Sequence, residues 1–154
     1  MNRVTFIIDT NVIFSALYKP ASKPSLMILL AIYNKIDLIA PISVRIEILD
    51  KLTKKLKFTT KDSEEIISSL PIRWIEEDIY EEKIDTAKKL ISDKTDAPII
   101  ALQLISGFPI ITGDKEILGT RKTIALNPTQ ALEFLIKSKI ITKEELKHMQ
   151  LYLQ

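Results

Sequence analysis

Short β-branched apolar runs alternate along this chain with longer segments whose apolar residues recur every three or four positions. Val4-Thr5-Phe6-Ile7-Ile8 has no helical period and predicts a central strand buried on both faces. Asp9-Thr10-Asn11 is then a turn and cap signal, with Thr10 or Asn11 able to cap a helix through Phe14 to Leu17. Lys19 to Pro24 reads as a loop, and Ser25 to Asn34 as a second helix. Leu38-Ile39-Ala40 predicts a second strand, Ile72 to Ile75 a third, Pro109 to Thr112 a fourth and Thr123 to Leu126 a fifth.

The intervening segments carry the helical period. Pro41 opens a helix over Ile42 to Lys57, with Ile42, Ile46, Leu49, Leu52 and Leu56 on one stripe and Glu47 at its border. Asp62, with Glu65 three residues on, starts another helix that ends before Pro71. Asp78 to Ser92 predicts a helix with Ile79, Ile84, Ala87, Leu90 and Ile91 inward. The polar loop Ser92 to Asp96 leads into a largely buried helix from Ala97 to Ile105, with Thr95 or Asp96 at its start and Gly107 as its cap. From Asn127 two short helices run to the end, split near Thr142. Strands separated by helices pair in parallel through right-handed crossovers. The predicted fold is α/β: a three-layer α/β/α sandwich on a central four- or five-stranded parallel sheet.

Composition narrows the chemistry. At 154 residues and 46% apolar, the chain suits a single domain over 1–154. A net charge of +2 neither announces nor excludes a nucleic-acid partner. Lys51, Lys54, Lys55 and Lys57 cluster on one helix, and Lys19, Lys23, Lys115, Arg121 and Lys122 lie in or beside loops. Such groups fit phosphate contacts and fit equally a solubilising surface. Cysteine is absent and His148 is the single histidine, so thiolate chemistry and His-rich metal sites are excluded. The apolar stretches Leu26 to Ile32 and Ala97 to Ile105 fall short of the roughly 20 residues of a membrane span, so a soluble cytoplasmic protein with no membrane partner is expected.

Four acids stand at the ends of apolar segments or inside them: Asp9, Glu47, Asp96 and Asp114. Carboxylates at strand ends gather where open α/β sheets place ligands. At an effective dielectric of about 20, a like-charge pair roughly 4 Å apart costs on the order of 4 kcal/mol. Convergence of these acids therefore implies a hard divalent cation with oxygen ligands. Such an ion supplies a nucleophilic water and neutralises charge on a phosphodiester.

The ordered set Ile7-Ile8-Asp9-Thr10-Asn11-Val12, Glu47, Thr95-Asp96-Ala97-Pro98-Ile99-Ile100-Ala101 and Ile111-Thr112-Gly113-Asp114-Lys115 resembles a PIN domain. The resemblance runs from residue 4 to about 126, leaving the helices from about 128 outside the motif region. It implies a metal-dependent nuclease in which Asp9, Glu47, Asp96 and Asp114 are direct or water-mediated ligands of Mg²⁺ or Mn²⁺. Asn11 and Thr112 would steer the carboxylates by hydrogen bonds or face the substrate, and Asp93 would be an outer ligand. Many family members carry an aspartate two residues after the last site acid, where this chain has Glu116. The family includes toxins of toxin–antitoxin pairs, so the expected partners are an RNA substrate, an antitoxin protein and a second copy of the chain, with Leu132 to Ile136 as a candidate pairing surface.

Ordinary structural roles compete with each assignment. Asp9 and Asp96 can be helix caps, Asp114 a turn residue, Asp93 a plain loop acid, and Glu47 a solvated partner of Lys51 four residues on. Two functional rivals stand beside the endoribonuclease. One is a degenerate module of the same fold that binds RNA or protein without cutting. The other is a phosphatase or phosphotransferase with Asp9 as nucleophile.

Overall fold

β1 (Val4–Ile8) occupies the middle of a five-stranded sheet in the computed structural model, which describes residues 3–154. Phe6, Ile7 and Ile8 are each fully buried, and because successive strand residues point to opposite faces, both faces of the sheet are covered. Its partners are β2 (Ile36–Pro41), β3 (Ile72–Ile75), β4 (Ile110–Ile111) and β5 (Ala125–Leu126). All pairings are parallel, in the order β3-β2-β1-β4-β5. The α/β fold with an all-parallel sheet is therefore as predicted, with five strands.

The helices that follow are α1 (Thr10–Tyr18), α2 (Lys23–Ile32), α3 (Ile42–Lys54), α4 (Thr60–Ser69), α5 (Glu77–Tyr80), α6 (Ile84–Lys88), α7 (Ala97–Ser106), α8 (Lys115–Gly119), α9 (Pro128–Lys137) and α10 (Lys143–Leu153). α9 packs on α2 and brings Phe134 edge-on to Phe6, with ring centroids 6.4 Å apart. An edge-to-face pair of this kind adds about 0.5–1.5 kcal/mol beyond its buried area. α7 packs against β1 and β2, and α5 and α6 pack on α7. Gly107 ends α7 in the left-handed conformation, at φ 76°, as its position after the last apolar residue predicts.

Several local expectations are corrected. Asp9, rather than Thr10 or Asn11, caps α1, because β1 stops at Ile8 and the chain turns helical at once. In α3 the buried residues are Val44, Ile48 and Leu52, and Ile46 is 63% exposed. That rotation places Glu47, between Ile46 and Ile48, partly inward. The segment from Asp78 to Ser92 is not one helix: α5 and α6 are joined by a 3-10 turn over Glu81–Lys83, which leaves Ile79 exposed. In α9, Leu132 and Leu135 are buried in the core of the same chain, so most of the apolar surface offered for pairing is already covered.

The strand order reverses beside β1. β2 and β3 lie on one side of it, and the chain then crosses to lay β4 and β5 on the other. A crevice opens at such a switch point, outside the carboxyl ends of the two strands that diverge. Here those strands are β1 and β4, followed by Asp9 and by Thr112 with Asp114.

Candidate active site

Asp9 leaves the end of β1 almost wholly buried, at 3% exposure, and both its oxygens are engaged. Oδ1 accepts from the Thr10 amide at 2.7 Å, and Oδ2 from the Thr112 hydroxyl at 2.6 Å. The β1–β4 register makes this bond possible: Ile8 pairs with Ile111, and the Asp9 amide donates to the Ile111 carbonyl at 3.0 Å. The Thr112 hydroxyl oxygen accepts in turn from the Asp114 amide at 3.0 Å. Burial raises the Asp9 pKa, the bonds from Thr112 and Thr10 hold it down, and the Asp114 charge adds to the rise.

Asp114 caps α8, its Oδ1 accepting from the amides of Glu116 at 2.8 Å and Ile117 at 3.2 Å. The turn that the sequence suggests there is thus a short helix start. Asp96 ends a 3-10 turn over Lys94–Asp96 and precedes α7 without capping it, so its carboxylate is not taken up by the helix end. It is pushed up to about 7, first by partial burial and then by Asp9, Asp93, Asp114 and Glu47. Those five acids therefore share one electrostatic neighbourhood.

Glu47 faces the same neighbourhood from α3. Burial raises its pKa, Thr10 and Lys51 oppose the rise, and Asp9 and Asp93 add to it. Asp93 stands at the exposed rim, its Oδ1 accepting from the Thr95 amide at 3.0 Å and the Thr95 hydroxyl at 2.7 Å, which hold its pKa low. Asn11 is exposed, and its side-chain oxygen accepts from Lys51 Nζ at 3.3 Å. Lys51 is thus turned to Asn11, while its charge lowers the pKa of both Asp9 and Glu47.

Three further side chains stand beside the expected ligands. Lys51 is the cation among the acids, placed four residues after Glu47 on the same helix. Glu116 clamps the acid-bearing loop, accepting from the Ser92 amide at 2.9 Å and the Ser92 hydroxyl at 2.6 Å. Thr10 is buried with a hydroxyl that makes no hydrogen bond of normal geometry, although it lies near enough to Glu47 to lower that pKa. In the sequence, Thr10 shows only through the cap motif Asp9-Thr10-Asn11, and Glu116 only through the replacement of an acid the resemblance leads one to expect.

The donors fit a hard divalent cation in chemistry. They are carboxylate and hydroxyl oxygens, and the orphaned Thr10 hydroxyl is a group that water around such a cation would satisfy. Among the described residues no three acids are drawn close enough to enclose an ion directly. That leaves one or two direct carboxylates with the rest acting through water, the usual arrangement for magnesium.

The family model for the PIN domain matches residues 7–153. The chain belongs to the PIN domain family. No curated protein matches its sequence. This PIN domain is similar to a chain of the VapBC2 complex from Rickettsia felis, bound to a DNA fragment from its promoter, at TM-score 0.59 and 18% identity over 80% of this chain and 98% of that one. It is similar to a chain of a toxin–antitoxin complex from Klebsiella pneumoniae at TM-score 0.58 and 15% identity, over 79% of this chain and 96% of that one. It also resembles a chain of FitAcB from Neisseria gonorrhoeae at TM-score 0.56 and 17% identity, over 80% of this chain and 98% of that one. At such identities the likeness is one of fold. Among the described residues no helix of this PIN domain is long and apolar enough to cross a membrane.

Proposed function

We propose that this PIN domain is a Mg²⁺- or Mn²⁺-dependent endoribonuclease acting in the cytoplasm, held in check by an antitoxin partner. The observation that carries the reading is the gathering of Asp9, Glu47, Asp93 and Asp114 around the half-buried Asp96 at the sheet's switch point, where burial first and then their charges push its pKa up to about 7. An ion-pair network would lower the Asp96 pKa, whereas an acid raised by burial and by the charges of other acids is one that a cation relieves. Asp9, Glu47, Asp96 and Asp114 are the proposed ligands, with Asp93 an outer one. A bound dication there supplies an activated water and neutralises charge on the phosphodiester.

The chain's own groups divide the remaining work. Thr112 fixes the Asp9 carboxylate, leaving each oxygen a second lone pair for a ligand. Asn11 and Lys51 face the strand at the mouth of the site, where Lys51 can meet a phosphate. The antitoxin is supported by the toxin–antitoxin complex from Klebsiella pneumoniae, in which a similarly folded chain occurs. A homodimer belongs to the same reading, through a surface other than the buried side of α9.

The prior engagement of both Asp9 oxygens favours one competing reading, a degenerate module that binds RNA or protein without cutting. Cleavage of single-stranded RNA in Mn²⁺, abolished by Asp9→Asn and by Asp96→Asn, is the expected result. Activity surviving both substitutions would overturn the ligand assignment. Calorimetric titration separates the two readings, because a degenerate site takes up no Mn²⁺.

A further inference from the structure

Lys19 and Lys23 line a pocket of about 400 Å³ together with Ser15, Ser22, Asn127 and Thr129. Lys23 Nζ donates to Thr129 Oγ1 at 3.0 Å, which holds the cation across the cavity, and neither lysine is in an ion pair among the described residues. Among the described residues no acid lines this pocket. A larger groove beside α10 contains Glu144 and Glu145, and the one between Arg3 and Arg73 contains Asp37.

Its location ties it to the acids. Asn127 directly follows β5, and the Leu126 carbonyl accepts from the Thr112 amide at 3.0 Å, so this wall opens on the same sheet edge as Asp9 and Asp114. Ser15 and Lys19 lie on or just beyond α1, the helix that Asp9 caps. At a rise of about 1.5 Å per residue they stand roughly 9 Å and 15 Å along the helix axis from Asp9. On the adjoining face of α1, turned toward α3, Phe14 and Tyr18 are stacked with centroids 6.3 Å apart and planes 7° from parallel, and Tyr18, next to Lys19, is 61% exposed. An exposed aromatic face flanked by cations is the surface on which single strands stack their bases.

We propose that this pocket is a subsite for a backbone phosphate of single-stranded RNA, a few nucleotides from the bond cut at the acids, with a neighbouring base on Tyr18. The proposal rests on the nuclease reading above. Both helix ends at the pocket are already capped by Ser22 and Asn127, so the ligand chemistry comes from the two ammonium groups and the hydroxyls around them. Contacts of this type position a strand without reading its sequence.

Fluorescence anisotropy with a labelled oligouridine, in chelator so that nothing is cut, tests the subsite. Lys19→Ala/Lys23→Ala is expected to weaken binding about ten-fold or more and to flatten the log–log salt dependence by about 0.7 for each phosphate no longer held. Thr129→Ala, which frees Lys23 but keeps its charge, is expected to lose less. Lys137→Ala/Lys147→Ala, on exposed residues away from the pocket, serves as the control for general charge. Unchanged affinity and salt slope in the pocket variant, or an equal loss in the control, would overturn the subsite while the nuclease reading stands. Failure of the wild-type chain to bind the oligonucleotide would overturn both. Circular dichroism of each variant confirms that a loss of binding is not a loss of fold.

Discussion

The Thr112 hydroxyl donates to Asp9 Oδ2 at 2.6 Å, joining residues 103 positions apart at the ends of two adjacent strands. Both side chains are buried, so this bond fixes the geometry of the site as well as closing the sheet edge.

Thr112→Val keeps the shape and removes the hydroxyl. It leaves Asp9 Oδ2 short of a donor and the Asp114 amide short of an acceptor, so a loss of about 1–3 kcal/mol is expected in denaturant unfolding. Cleavage is expected to fall with it. Thr112→Ser, which restores the oxygen, is expected to recover most of the activity.

The acids give stability a definite pH dependence in metal-free protein. Asp96 titrates at about 7 when folded and near 3.8 when unfolded, so the folded chain binds the extra proton between those values. Stability from this group is complete below the unfolded value and is lost as pH rises through the folded one. Asp9 and Glu47, also raised, act in the same direction. Thermal unfolding in chelator is expected to occur at a lower temperature at about pH 8 than at about pH 5. Mn²⁺ is expected to stabilise more at the higher pH, where it displaces no proton.

Asp96→Asn removes one charge from this group. In chelator at alkaline pH it is expected to raise the melting temperature while abolishing cleavage in Mn²⁺. A lower melting temperature would mean that Asp96 serves the fold and not a cation.

Glu116 tests the role of the loop. Its pKa is lowered by the Ser92 hydroxyl and amide, so the clamp is made by the ionised form. Glu116→Ala is expected to speed amide hydrogen exchange across Ser92 to Asp96 and to weaken Mn²⁺ affinity about ten-fold or more, the usual cost of losing a group that supports a ligand-bearing loop. Unchanged exchange in that loop would show that the clamp holds nothing in place.

The sequence makes the sheet and most of the acids legible because both depend on local pattern. Val4 to Ile8 and Ile72 to Ile75 are read correctly from their apolar runs, and Asp9 and Asp114 stand, as their positions suggest, just beyond the ends of strands. Side-chain relations across the fold are less visible. The phase of α3 is set by packing against β2, β3 and α4, so Ile46 turns outward although its spacing places it on the stripe. Nothing local to Glu116 points to Ser92, 24 residues away, and nothing in Lys51 shows that it turns to Asn11. Ile79 is exposed because a 3-10 turn interrupts its helix, a change of pitch that leaves no mark in the apolar count.

The two halves of the sheet are unequal. β1, β2 and β3 are joined by four-residue registers, whereas β4 is held to β1 and to β5 by two paired positions each. The acids straddle that seam, so a local opening of the short half separates Asp114 from Asp9 without disturbing the longer ladder. Heating is therefore expected to silence this protein before it melts, and cooling to restore it. Such a thermal fuse would be read as activity that vanishes while the far-ultraviolet spectrum stays native.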